Sequence, residues 1–190
     1  SAKNNKNILL RNNPDYKLRV DITIEWVTSK DNEIRARRIK ITDNAAGMTE
    51  KEFGDAFKSA DMTVVREGMN EFGMGMKVAA CWLGKKWSVE TKPLVEDYKR
   101  FINIDVEDIS KNDIKSIRSA SEYTPNTPHG TIINIDAWDD SRIKKSDEEY
   151  IKDGIASIYR NFIRNNAILL YVNDTLLKFE DYEILESPAY

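Results

Sequence analysis

Asp43-Asn44-Ala45-Ala46-Gly47-Met48 and Asn70-Glu71-Phe72-Gly73-Met74-Gly75-Met76-Lys77 are the two stretches whose reading decides the fold. The first puts a carboxylate at the end of a strand. The second sets glycines immediately before a helix, where free backbone N–H groups and the positive end of the helix dipole can hold phosphate oxygens. One piece suits a base and the other suits phosphates, without a P-loop.

Working outward, Leu18, Val20, Ile22, Ile24 and Trp26 alternate with polar residues, the period of a strand with one buried face. Ser29 to Asn32 reads as a turn. Ile34 to Thr42 is a second strand, with Ile34 and Ala36 on one phase and Ile39 and Ile41 on the other, which predicts a bulge near Arg37-Arg38. Thr49 to Glu52 fits a capping box, and Phe53, Ala56, Phe57 and Ala60 follow at helical spacing. Residues 61–71 carry little periodicity and read as a loop. A helix over Met76 to Leu83 stops at Gly84, a natural residue for a left-handed helix end.

Lys85 to Thr91, Tyr98 to Val106 and Thr131 to Trp138 read as strands, with 107–129 the longest loop. Asp147 to Arg164 is expected to form one long helix with Ile151, Ile155, Ile158, Tyr159 and Phe162 on one face. Ala167 to Val172, a turn at Asn173-Asp174 and Leu176 to Phe179 close the chain with a hairpin. Helices and strands alternate irregularly, so the class is α+β: a two-layer α/β sandwich whose mixed, mainly antiparallel sheet carries helices on one face.

Composition sets the frame. The 190 residues suit one domain, 1–190, with 41% apolar and 32% charged residues. No apolar run approaches the roughly 20 residues a bilayer crossing needs. Lys plus Arg total 29 against 32 for Asp plus Glu, so the net charge of -3 makes no global case for a nucleic-acid partner. A single cysteine, Cys81, excludes an intrachain disulfide and a cysteine-rich zinc site. Without a signal peptide, the expected location is cytoplasmic. The absence of an initiator Met and of a terminal capping signal suggests a piece of a longer protein.

Asp43 is placed to accept a hydrogen bond from an exocyclic amine, with adenine the natural partner, and Gly47 would let a flat ring approach the backbone. An ordinary turn before a capped helix accounts for the same six residues equally well. Phe72 to Gly75 alone is a weak phosphate signal. Lys77, in the first turn of the next helix, serves either as a solvated residue or as a point charge for phosphate. His129 has no Ser, Cys or metal partner in view and reads as a loop residue. Thr131 is the better candidate: its hydroxyl would bond Asp43 from a neighbouring strand, or it is there for strand propensity.

The order of these motifs resembles the GHKL superfamily, the Bergerat-fold ATPases that include gyrase, heat-shock-90-type chaperones, histidine kinases, MutL and MORC-like proteins. Asp43 to Met48 is similar to its Asp-x-Gly-x-Gly motif, Phe72 to Lys77 to its second glycine motif, and His129-Gly130-Thr131 to its Gly-Thr motif. The resemblance implies ATP and Mg²⁺ as cofactors. It implies an ATP site of Asp43, Asn44, Gly47, Met48, Phe72, Gly73, Met74, Gly75, Met76, Lys77 and Thr131, with Lys3 added from the Ala-x-Lys run that follows the family's Asn. Residues 61–71 would be the ATP lid.

Ala45 and Asn70 stand where the family has glycines. The family's Glu-x-x-x-Asn helix, which supplies the general base and the Mg²⁺ ligand, is missing and is expected upstream of Ser1, so no catalytic residue is assigned within 1–190. The implied activity is slow, Mg-dependent ATP hydrolysis, with lid closure driving a conformational or dimerisation switch in a homodimer. The alternatives are a histidine-kinase-type catalytic domain and a non-hydrolysing nucleotide sensor. Whether the client is DNA or protein is left open.

Overall fold

The computed structural model describes residues 2–57, 75–114, 117–138 and 141–179. In chain order these form α1 (Ala2–Asn12), β1 (Leu18–Thr28), β2 (Ile34–Asp43), α2 (Glu50–Phe57), α3 (Gly75–Leu83), β3 (Gly84–Lys92), β4 (Tyr98–Asp105), α4 (Val106–Asn112), β5 (Ala120–Tyr123), β6 (Gly130–Ala137), α5 (Glu148–Ile158), α6 (Arg160–Arg164), β7 (Ile168–Val172) and β8 (Thr175–Leu176). The strands make one sheet in the order β5-β4-β3-β6-β2-β1-β7-β8. Among the described residues only the β1–β7 pair is parallel. This is the α+β, mixed and mainly antiparallel sheet that the sequence predicts.

The helices share one face. Ile22 packs into a core with Phe53 of α2, Ala80 of α3 and Ile109 of α4, and also into a second core with Ala156 of α5 and Tyr159. Because side chains alternate along a strand, a residue of β1 that serves both cores puts both helical groups on the same side. The other face is charged: Arg19 bonds Asp21, Arg38 lies 2.9 Å from Asp136, and Lys86 lies 2.8 Å from Asp105. The exposed pairs add little stability individually; their role is to keep that face wet.

Local signals account for most boundaries. The Thr49 capping box is formed, with the Thr49 N–H donating to Glu52 Oε2 at 3.0 Å and the Glu52 N–H to Thr49 Oγ1 at 3.4 Å. The expected bulge lies at Arg37: Glu25 pairs with Arg38 but Trp26 with Ala36. Asn173 (φ 45°) and Asp174 (φ 64°) turn β7 into β8 in the left-handed conformation that Asn and Asp tolerate.

Three expectations are corrected. The 107–129 stretch is no continuous loop, since Asp105 caps α4 by accepting from the Asp108 N–H, and Ala120–Tyr123 extends the sheet edge. The long helix from Asp147 is a 3₁₀ turn followed by α5 and α6, broken at Tyr159. Its apolar face shifts accordingly: Ala156 is buried while Ile158 is 74% exposed. Gly84 is the first residue of β3 rather than a left-handed helix end. A Cβ there would stand 2.4 Å from Ile135 Cγ2 and 2.5 Å from the Asp136 carbonyl oxygen, so close approach to β6 demands glycine.

Candidate functional site

Asp43 ends β2 and pairs with Thr131 of β6. Its Oδ1 accepts the Ala45 N–H at 2.9 Å and the Thr131 N–H at 3.1 Å. Among the described residues both bonds fall on one oxygen, which leaves Oδ2 for a further donor. Burial raises the Asp43 pKa above the ordinary carboxylate value, opposed by these two N–H bonds and by nearby His129.

The Thr131 contribution differs from the expected one. Its backbone N–H, not its hydroxyl, reaches Asp43, while its Oγ1 lies 3.2 Å from Oγ1 of Thr91. Thr91, 1% exposed, accepts the Met48 N–H at 2.9 Å. The registers place Asp43, Thr131, Thr91, Arg100 and Ser121 in one row across β2, β6, β3, β4 and β5. This is a polar seam through an inner face otherwise built of Ile, Val and Trp.

The turn after Asp43 is tied down on every side. Asn44 Oδ1 accepts the Arg19 N–H at 2.7 Å, and its Nδ2 donates to the Lys17 carbonyl at 3.0 Å, so this side chain pins the turn to the start of β1. His129 Nδ1 lies 2.7 Å from the Ala45 carbonyl oxygen, and the Leu94 N–H donates to Ala46 O at 2.8 Å. Gly47 has φ +66°, and a Cβ would stand 2.2 Å from the Lys92 carbonyl oxygen. The glycine is therefore required by the end of β3, whatever approaches from the other side.

Above this turn lies a cavity of about 970 Å³. Its wall includes Leu9 and Leu10 of α1, Tyr16, Ala45 to Met48, Thr131 and Phe162. Apolar walls with a few converging polar groups are the usual make-up of a small-molecule site. Tyr16 donates to the Asn44 carbonyl oxygen at 3.3 Å, and its phenol pKa is raised by burial and by Asp43.

Met48 and Met76 are partly buried and pack against the core, and Met48 also lines the cavity. Gly75 opens α3 without a positive φ, and among the described residues nothing lies within 4 Å of a Cβ built on it. Lys77 lies in the first turn of α3. Phe72, Gly73, Met74 and the proposed lid at 61–71 lie outside the described residues; Lys3 lies in α1, with its side chain not described. Among the described residues no three His, Cys, Asp or Glu side chains cluster to hold a metal ion, and no helix is long and apolar enough to cross a membrane.

Sequence reasoning missed Thr91, Tyr16 and Phe162. No local pattern marks them, because strand register and the fold bring them to the turn.

A family model described as "Histidine kinase-, DNA gyrase B-, and HSP90-like ATPase" matches residues 7–157. Among solved structures, the ATPase region of Saccharomyces cerevisiae topoisomerase II matches with a TM-score of 0.50 and 14% identity, over 93% of this chain and 46% of that one. The ATPase and transducer domains of DNA topoisomerase II from Balamuthia mandrillaris match with a TM-score of 0.57 and 13% identity, over 89% and 44%. The chain thus spans less than half the length of these structures, and identities this low speak to fold alone. No curated protein sequence matches.

Proposed function

The chain belongs to the family of histidine kinase-, DNA gyrase B- and HSP90-like ATPases, and from that premise we propose that its cavity binds ATP through Asp43, hydrolyses it slowly with Mg²⁺ and uses lid closure as a switch. The observation that carries the reading is the Asp43 carboxylate. Two backbone N–H groups fix Oδ1, so Oδ2 can accept from the adenine amino group at no cost in reorganisation.

Each side chain then has a task. Ala46 to Met48 offer a backbone surface held rigid by Thr91 and Lys92 for the flat base. The α3 N-terminus and Lys77 would face the phosphates, where orphan N–H groups and the helix dipole favour negative charge. Phe72 to Gly75 would complete that cradle, residues 61–71 would close over it, and Lys3 would approach the phosphates from α1.

Hydrolysis requires a base to take the proton of the attacking water and a ligand for Mg²⁺. The described residues offer no metal cluster, so no step through the metal is assigned to them. The base and metal ligand are assigned to a Glu-x-x-x-Asn helix upstream of Ser1. ATP-dependent homodimerisation, in the cytoplasm and on a DNA or protein client, completes the proposal.

Phosphate release measured side by side from residues 1–190 and from a chain extended upstream tests the division of labour. Slow, Mg-dependent release from the longer chain alone is expected. Robust release from residues 1–190 would place the base within that stretch rather than upstream of it. Binding without release from either would favour a nucleotide sensor.

A further inference from the structure

One end of the sheet is β5. It pairs with β4 along one side, Tyr98 with Tyr123 and Arg100 with Ser121, and no strand among the described residues pairs with its other side. All of its residues, Ala120–Tyr123, are exposed. The N–H and C=O groups along such an edge are a template for a further strand.

The inner face of this edge holds a pocket. Ile102 and Ile104 of β4 share a core with Phe53 of α2, and alternation along the strand puts Arg100 and Tyr98 on the same face as they are. Tyr98 and Tyr123 touch there, with ring centroids 5.4 Å apart, and both are exposed. Beside them, between α2 and β5, is a pocket of about 410 Å³ whose described lining includes Phe53, Gly54, Arg100, Ser119 and Ser121. Nothing lies within 4 Å of a Cβ built on Gly54, so the helix leaves room on this side.

Arg100 is 8% exposed. Its Nη2 pairs with Glu96 and lies 3.8 Å from Glu50, while its Nη1 is buried without a hydrogen-bond partner. A buried donor left unpaired is costly, so a ligand that brings the missing acceptor gains by it. An apolar side chain would leave Nη1 unpaired, and a basic one carries no acceptor. A carboxylate would be the third on a guanidinium whose single charge Glu96 and Glu50 already share. A carboxamide fits: its oxygen accepts from Nη1, and its N–H groups find the hydroxyls of Ser119 and Ser121 as acceptors.

We propose that the β5 edge binds an extended peptide as an added strand, with a glutamine or asparagine side chain of that peptide seated in the pocket against Arg100. Side chains two apart on the added strand share a face, so an apolar residue two positions from the carboxamide would lie against Tyr123. Backbone pairing supplies affinity and the pocket supplies selectivity, the usual division in strand addition.

The test is titration of isotope-labelled protein with the capped peptide acetyl-Thr-Val-Thr-Gln-Thr-Val-Thr-amide, followed by backbone amide shifts. Saturable shifts at residues 50–55, 98–101 and 119–123 are expected. Exchanging the peptide's Gln for Leu or Glu should weaken binding at least about fivefold, as an unpaired donor or an added like charge implies. Of two peptides N-methylated at alternate residues, in opposite phase, one should lose binding and the other keep it, because only one edge of the added strand faces β5. Gly54→Leu, which fills the pocket from α2, should abolish the shifts while the spectrum of β1 and β7 stays that of the wild type. Asp43→Asn should bind the peptide unchanged, which separates this site from the ATP pocket. No saturable shifts, an affinity for the Leu or Glu peptide equal to or above that for the Gln peptide, or binding kept by both N-methylated peptides would overturn the proposal. Shifts at residues 119–123 that grow with protein concentration in the absence of peptide would also overturn it, in favour of a second copy of the chain on this edge.

Discussion

Asp43 and Thr131 face each other across the β2–β6 pair, with the Thr131 N–H 3.1 Å from Asp43 Oδ1. The bond runs from backbone to carboxylate, so any residue but proline at 131 can supply it. What the threonine side chain adds is the hydroxyl 3.2 Å from that of Thr91, which links the acidic strand to β3 through β6. The carboxylate, the turn and the third strand therefore move as one unit.

Thr91 is the residue through which this unit is most easily broken. Thr91→Val keeps the shape and removes the acceptor of the Met48 N–H. A buried N–H left unpaired costs about 1–3 kcal/mol, so thermal unfolding should occur several degrees lower. Thr91→Ser should recover most of the loss. Equal melting of the valine and wild-type proteins would show that the Met48 bond contributes nothing.

Gly47→Ala is expected to be worse than a cavity-forming change. The added Cβ would stand 2.2 Å from the Lys92 carbonyl oxygen at a φ of +66°, so either the turn or the end of β3 must shift. Adenine nucleotide affinity should fall together with stability. Gly54→Ala, with nothing within 4 Å of its Cβ in helix α2, serves as the control and should be neutral or stabilising. A Gly47→Ala protein that melts like wild type would contradict the close approach.

Much of this arrangement was legible in the sequence, and the reason is the range over which each signal acts. The alternation of Val20 to Trp26, the Thr49–Glu52 box, the Arg37 bulge and the Asn173-Asp174 turn are all decided within a few residues. Asp43 and Thr131 could be singled out by motif order. Thr91 could not, because its role depends on a register 40 residues away. The break at Tyr159 was hidden by continuous helical periodicity through 147–164, and the reason for Gly84 lies in Ile135 and Asp136 of another strand.

Glu148 joins α5 to the β-sheet: Oε1 accepts from Asn173 Nδ2 at 2.7 Å, and Asn173 Oδ1 accepts the Ile24 N–H at 2.7 Å. The Lys145 hydrogen bond, ahead of those from its other partners, holds the Glu148 carboxyl below its ordinary value of 4.5. A depressed carboxyl pKa stabilises the fold above the unfolded-state value and ceases to do so as pH falls through the folded one. Melting temperature should therefore drop as pH is lowered below about 4.5, and Glu148→Gln should flatten that part of the profile. An acid limb unchanged in the variant would remove Glu148 from the account.

Asp43 has the opposite sign. Burial raises its pKa, so its ionisation costs stability once pH exceeds the unfolded value of 3.8 and the cost is complete above the folded pKa. Asp43→Asn should leave the melting temperature at pH 7 unchanged or higher. Nucleotide affinity of the wild type should weaken as pH falls towards the raised pKa, because the carboxylate loses its charge as an acceptor. Affinity that is flat from pH 7 down to the ordinary carboxylate value would place the amine elsewhere.

Calorimetric titration of wild type and Asp43→Asn with ADP tests the central claim most directly. The amide can still accept the Ala45 and Thr131 N–H groups through its oxygen, so the turn is kept, but it then presents an NH₂ group to the adenine amine. Two donors facing each other should cost about 1–3 kcal/mol or more, a loss of at least about fivefold to a hundredfold in affinity. That loss in a variant that melts no lower than wild type is the predicted result. Equal ADP affinity in the two proteins would contradict the assignment of Asp43 to the base.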